Sequence, residues 1–461
     1  MDWRAARVQT RFDLEDDRGN LQAMENAAYA PLEAGEFDLT QRRYAPFVNV
    51  LRRHHRGAGC APAETTLEET RAWLLRDGLR HEDFAMLYEE LVWRIIASGA
   101  PISRATVHVG TLHPQLSGYS WNFELYDGFV DEIIVAREAS AMPSFKLNPL
   151  NRVFNHGETV RVAPQDPDDA RRFPLMAELA EQGVTDYIAR PLGGGSDYNN
   201  GGTIATRQPG GFTDAQYRSL TEIFDLFALF IERHIAQQIS ANVLDTYLGA
   251  SAGAEVLAGA IERGAGRRIE AIIWVSDLRG FTDRSERMSE EEVSMMLNLY
   301  FGALAGAVMA EGGEVLKFIG DGLLAVFPVG GDARCAARRA LAAAEASAAE
   351  VAILNDAPPE ELPRASLPLK TGVALHRGEV FFGNVGSPSR LDFTVIGRAV
   401  NEASRVEALT KEVGQSLLVT RPVADLLDRQ MQAIGAFSLK GVEAPVEVFA
   451  PLGAAAAASS G

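Results

Sequence analysis

The chain has 461 residues, 47% of them hydrophobic and 23% charged, which fits a globular protein of two or three domains and excludes wholesale disorder. Asp and Glu number 62 against 44 Lys and Arg, a formal net charge of −18; this excludes nucleic acid or an anionic membrane as a partner held by bulk charge, and leaves a polyphosphate open if metal ions supply the local positive charge. Two cysteines, Cys60 and Cys335, suit a reducing compartment, and with neither an apolar run of about 18 residues nor a basic-then-apolar leader the expectation is a cytoplasmic protein without a membrane span.

Residues 1–64 show little beyond the basic cluster Arg52-Arg53-His54-His55-Arg56, read as a solvated face. Thr66 and Glu69 have capping-box spacing ahead of a short helix through Leu75, and Phe84, Leu87, Leu91 and Ile95 predict a helix over 83–97. Short β-type runs follow at 105–112, 119–124 and 130–135, then a strand at 159–162, a helix at 173–182, and strands at 186–191 and 202–207 around the flexible Gly-rich turn 193–202. Thr213 and Gln216 again have capping-box spacing and open a long helix to about residue 239. Its Leu220, Phe224, Phe227, Ile231, His234 and Ile235 form a stripe near the heptad period, which predicts pairing with a second copy. Residues 240–268 read as a connector, and 454–461 as a disordered tail.

The order of elements over about 80–240, most closely from Asp186 through Phe212, resembles a GAF sensory domain. The resemblance implies a GAF-like α/β sensor over 65–212 with a small-molecule ligand, and a signalling helix with its connector over 213–268. Trp121, Phe123, Tyr126, His108, His113 and His156 are then either pocket lining, for a small ligand or haem, or core aromatics and surface histidines.

The chemistry is concentrated in 270–450. A buried-strand run, Ala271 to Ser276, ends at Asp277 and turns through Leu278-Arg279-Gly280-Phe281-Thr282 toward a helix. A carboxylate there can hold a cation while turn amides face an anion. Two further β-type runs flank Gly320-Asp321-Gly322, a hairpin signal. Two Asp residues at strand ends match the oxygen-only ligands that Mg²⁺ requires. Farther on, Asp392-Phe393-Thr394-Val395-Ile396 turns at Gly397 into a helix that carries Asn401 and Arg405 on one face.

The succession VSDLRGFT, EVLKFIGDGLLAVF, TGVALHRGEVFFGNVG and DFTVIGRAVNEASRVEAL resembles the class III adenylate/guanylate cyclase catalytic domain, here over 269–453. That resemblance implies an α+β chain whose C-terminal domain is ferredoxin-like and acts as a homodimer. It implies two ions, Mg²⁺ or Mn²⁺, per active site on Asp277, Asp321 and the Leu278 carbonyl. It also implies a triphosphate loop over Leu278, Arg279, Gly280, Phe281 and Thr282. Lys317 and Thr394 match the purine contacts, Asn401 the ribose contact, Arg405 the group facing the α-phosphate, and Lys440 a terminal-phosphate lysine. The Lys/Thr pair resembles the class IIIb adenylyl cyclases, a subgroup often described as bicarbonate-responsive, and so implies ATP as substrate. The carboxylates and the Asn/Arg pair of one site would come from different subunits. A catalytically silent cyclase-like module and a guanylate cyclase are the alternatives.

Overall fold

The computed structural model describes residues 42, 44, 48–81, 83–193 and 200–452. The tail expected at 454–461 and most of the Gly-rich turn lie outside the described residues. The chain divides into two compact units that meet in sequence at residues 243 and 244.

In the N-terminal unit, strands β1 (Val48–His54), β2 (Arg104–Gly110), β3 (Leu116–Glu124), β4 (Val130–Ala136), β5 (Val160–Val162), β6 (Asp186–Pro191) and β7 (Gly201–Thr206) form one sheet in the order β1-β4-β3-β2-β7-β6-β5. One face is covered by α1 (Leu67–Asp77), α2 (Phe84–Ala97) and the N-terminal part of α5 (Asp214–Leu248). The other face meets α3 (Pro149–His156) and α4 (Leu175–Glu181). Both predicted capping boxes form. Thr66 and Glu69 close one at the start of α1, and Thr213 and Gln216 exchange bonds of 2.9 and 3.2 Å at the start of α5.

Two expectations fail here. The cluster at 52–56 is not a solvated face: its first three residues belong to β1, where Arg52 reaches Glu132 and Asp83, and Arg53 reaches Asp131. Alternation along the strand sends these cations toward acids about 80 residues away, a pairing that local sequence does not reveal. The stripe on α5 is not a free seam. Leu220, Phe224, Phe227, Ile231 and Ile235 lie in the unit's own core with Trp73, Tyr88 and Trp121. His234 stacks on Phe84 at 4.6 Å and meets Trp121 edge-on at 5.5 Å. Burial pushes its imidazole down to about 4. A stripe at helical spacing serves a core as well as a coil, because both need the same period.

The suspected ligand residues also part. Trp121 and Phe123 face the helical core, while His108 lies on the opposite side of the sheet, bonded to Thr106 at 2.8 Å. Tyr126 and His156 are exposed. They do not converge on one pocket.

In the C-terminal unit, α6 (Ala250–Leu257) precedes strands β8 (Gly266–Leu278), β9 (Glu314–Ile319), β10 (Gly322–Pro328), β11 (Thr371–Ser387), β12 (Arg390–Ile396), β13 (Leu417–Thr420), β14 (Met431–Phe437) and β15 (Val446–Pro451). The sheet runs β14-β15-β13-β11-β8-β10-β9, with β12 paired to β11. The short helix α7 (Phe281–Ser285) follows β8 directly. Helices α8 (Glu290–Ala310) and α9 (Ala333–Asp356) cover the face built from Ile272, Trp274 and Leu278. Helix α10 (Arg398–Glu412) and α6 lie on the other face, with Ala271, Ile273 and Leu324. Strand alternation therefore puts Asp277 on the α10 side. By length and apolarity α8 is the one described helix that could cross a membrane; here Met296, Tyr300, Leu304, Ala307 and Val308 spend its apolar face in the core.

Candidate active site

The site begins with two turns brought side by side by strand pairing. β10 runs antiparallel to β8 with Leu323 opposite Ser276, so the β9–β10 turn that holds Asp321 lies against the end of β8 that holds Asp277. Gly322 makes this possible: a Cβ there would come within 2.8 Å of the Ser276 carbonyl oxygen. Asp321 is half-buried and its carboxyl is held above the usual carboxylate range, first by burial and then by the charge of Asp277 beside it. The Leu278 amide opposes that shift by donating to Asp321. Two like charges forced together at a partly buried turn are what a divalent cation relieves, and all the donors are oxygens. Asp277 and Asp321, with the Leu278 carbonyl, therefore fit Mg²⁺ or Mn²⁺.

Past Asp277 the chain turns at Gly280, whose φ of +69° would strain a side chain, and enters α7. Gly280 and Thr282 are exposed. Arg279 is not presented to an anion. Its amide donates to the Lys370 carbonyl at 2.8 Å, and its guanidinium turns inward to Thr410 and to Glu407, 3.5 Å away. Arg284 braces the same loop, donating to the Arg279 carbonyl at 2.7 Å and to that of Pro368 at 2.6 Å. Arg279 therefore holds the loop in place, with its amide and its guanidinium both engaged within the protomer. Gly372 lies beneath this contact; any Cβ there would overlap the guanidinium and Glu407.

Glu407 went unnoticed in the sequence. It is buried between Val406 and Leu409 on α10, and its carboxyl is pushed up to about 7, chiefly by burial, with Arg279 pulling the other way. The only sequence signal was an acid set among buried apolar positions of a helix.

The purine-reading candidates meet at another edge. Lys317 on β9 is ion-paired with Asp392 on β12. Thr394, two residues beyond Asp392, is buried, and among the described residues its hydroxyl has no hydrogen-bond partner. Asn401 is exposed on α10. Arg405, one turn on, lies alongside Gly441, where a Cβ would sit 3.5 Å from its guanidinium, and exposed Lys440 is the neighbour of that glycine. The structure thus brings Asp277 to Asp321, Lys317 to Asp392 on the strand that carries Thr394, and Arg405 to the segment of Lys440.

Known proteins resemble the C-terminal unit in sequence. Residues 267–450 match the model of the adenylate and guanylate cyclase catalytic domain. An adenylate cyclase of Anabaena cylindrica is 36% identical over 189 residues, 41% of this chain and 36% of that protein. The photoactivated adenylate cyclase subunit alpha of Euglena gracilis is 35% identical over 167 residues, 36% of this chain and 16% of that protein. A solved bacterial light-regulated adenylyl cyclase is 31% identical, with a TM-score of 0.37, over 41% of this chain and 93% of that one. The chain spans little more than a third of the first of these curated relatives and less of the second. The C-terminal unit, over residues 267–450, is an adenylate and guanylate cyclase catalytic domain.

Proposed function

We propose that the chain is an adenylate cyclase that converts ATP to 3′,5′-cyclic AMP and pyrophosphate in a homodimer. The observation that carries this reading is the paired carboxylates Asp277 and Asp321, held face to face at adjoining turns inside a matched cyclase domain. When bound there, divalent ions acidify the ribose 3′-hydroxyl and neutralise the triphosphate. Lys317 and Thr394 bind the base. Asn401 orients the ribose, which fixes the angle at which its 3′-oxygen approaches the α-phosphorus. Arg405 offers a guanidinium to charge that builds on the α-phosphoryl oxygens, and Lys440 holds the departing pyrophosphate. The exposed backbone turn at Gly280 and Thr282 leaves room for the phosphates, while Arg279 and Arg284 keep that turn rigid.

As the resemblance to the cyclase family implies, each site takes its carboxylates Asp277 and Asp321 from one subunit and Lys317, Thr394, Asn401 and Arg405 from the other. For the N-terminal unit, the antiparallel sheet with helices on both faces supports a GAF-like sensor of a small molecule that regulates turnover through the connector. A cytoplasmic location is proposed from cysteine usage alone.

The test is cyclic nucleotide formation by the purified full-length protein from ATP and from GTP, with Mg²⁺ and with Mn²⁺, beside Asp321→Ala. Cyclic AMP that disappears in the variant is the expected result. Absence of product from both nucleotides under every metal, with residues 240–461 equally silent, would sink the reading.

A further inference from the structure

In the proposed dimer one protomer divides its residues between two sites. Its carboxylate turn serves one, Asn401 and Arg405 on α10 serve the other, and any coupling between the sites rests on that division. The residues that join this turn to this helix within the protomer therefore stand between two active sites.

α10 lies against the sheet through small and aliphatic side chains. Ala399 and Ala403 share a core cluster with Ala271 and Ile273, and Val406 and Leu409 share one with Ala374 and Leu418. Apolar contact of this kind is non-directional; the slide and rotation of the helix are left to directional polar ties. Two such ties are found among the described residues. Near the start of the helix Glu402 stands 3.4 Å from His376 of β11, which is bonded to Thr420 at 3.0 Å. That tie ends inside the sheet. Farther along, Thr410 and Glu407 take the Arg279 guanidinium. This second tie ends at the carboxylate turn, because Arg279 is two residues from Asp277 and its own amide is fixed to the Lys370 carbonyl at 2.8 Å. Glu407 and Thr410 are buried, and Gly372 below them leaves no room for a Cβ, so the contact is enclosed. Glu407 lies two residues past Arg405, on nearly the opposite side of the same turn of helix. Whatever holds Glu407 also sets where Arg405 stands.

We propose that Arg279 and Glu407 are positioning residues that couple the two sites of the dimer, so that nucleotide bound at one favours nucleotide at the other. Ions and a triphosphate seated at Asp277 and Asp321 fix the turn. Through Arg279 the fixed turn holds α10, and α10 presents Arg405 to the second nucleotide already in place. The second nucleotide then binds about five- to thirty-fold more tightly than the first, a Hill coefficient of about 1.4 to 1.7.

3′-Deoxy-ATP lacks the hydroxyl that closes the ring and so reads this coupling without turnover. With Mg²⁺ it would be titrated calorimetrically into full-length wild type, Glu407→Ala, Thr410→Val, Glu407→Gln and His376→Asn, with solution mass and Tm recorded for each. Wild type should bind two nucleotides per dimer with the Hill coefficient above. Glu407→Ala and Thr410→Val should each bring it to about 1. Glu407→Gln should keep it, since its amide oxygen still accepts from Arg279. His376→Asn loosens the same helix from β11 and should also keep it, which a merely structural role for Glu407 would not allow. The dependence of cyclic AMP formation on ATP should follow the same pattern. Coupling that survives both Glu407→Ala and Thr410→Val overturns the proposal, as does coupling lost equally in His376→Asn. A wild type that stays monomeric with nucleotide bound sinks the dimer reading and this one together, whereas a dimer with two independent sites sinks this one alone.

Discussion

The two units differ in how their most crowded acids are matched. In the N-terminal sheet a cluster of buried acids is met by cations and hydroxyls. Arg42 donates to Asp127 and to the carbonyls of Asn122 and Phe129, Arg53 and Tyr44 both meet Asp131, and Arg104 meets Glu124 at 2.6 Å. In the C-terminal unit two acids are set against each other. Asp277 and Asp321 crowd one another, and the hydroxyls of Thr394 and Ser276 are buried without partners among the described residues. Burial of an unmatched polar group costs free energy and persists only where something else is gained. The matched pairs of the N-terminal sheet therefore mark architecture, and the crowded acids Asp277 and Asp321 mark chemistry.

The largest effect that could break this contrast is at Asp321. Asp321→Ala should lower cyclic AMP formation by about a thousand-fold or more, because a ligand of the reacting ions is lost. Since it also removes a like-charge conflict, Tm should stay level or rise. A large drop in Tm would show that the carboxylate was holding the fold. Asp131→Ala is the counterpart in the other unit. It removes the carboxylate that Arg53 meets and one of those that Arg42 meets, and should cost about 3 kcal/mol in denaturant unfolding. A loss below about 1 kcal/mol would mean that the network is solvated and the contrast false.

Glu407 stands between these cases, half-matched by Arg279. Its carboxyl is raised from 4.5 to about 7, so the folded protein holds a proton there that the unfolded chain has released. The stability this gives is complete below about 4.5 and is lost as pH rises through 7. Asp321 acts with the same sign. Glu407→Gln stays neutral throughout and can still accept from Arg279. Its unfolding free energy should fall less than that of wild type between pH 5 and 8, a difference of about 1 kcal/mol once solvent screening is allowed for. Parallel pH profiles would show that Glu407 is already ionised in the fold. The smallest effect is Thr66→Ala, which removes an N-cap in the N-terminal unit and should cost about 1 kcal/mol with cyclic AMP formation unchanged.

Legibility in the sequence divides along the same line. The hairpin at Gly320-Asp321-Gly322, the strand end at Asp277 and the helix start after Gly397 were legible, because each is a local signal of turn residues between apolar runs. Both capping boxes were legible for the same reason. Strand β1 was not, since what holds Arg52 and Arg53 is supplied by acids about 80 residues downstream. The α5 stripe was seen but given the wrong partner, because helical period says that a face is buried and never against what. Arg279 shows the same limit: it lies in a phosphate-loop pattern, and the groups its side chain meets, Glu407 and Thr410, stand more than a hundred residues away.

The β9–β10 hairpin sets Lys317 and Asp321 four positions apart on one strand and turn, yet in the proposed dimer they serve different sites. That arrangement has a genetic consequence. Two alleles, one carrying Lys317→Ala and the other Asp321→Ala, are each null alone. Expressed together, random assortment places one copy of each in half of the dimers, and every such dimer has one pocket with both residues intact and one with neither. Complementation between two dead alleles should therefore restore about a quarter of the wild-type output.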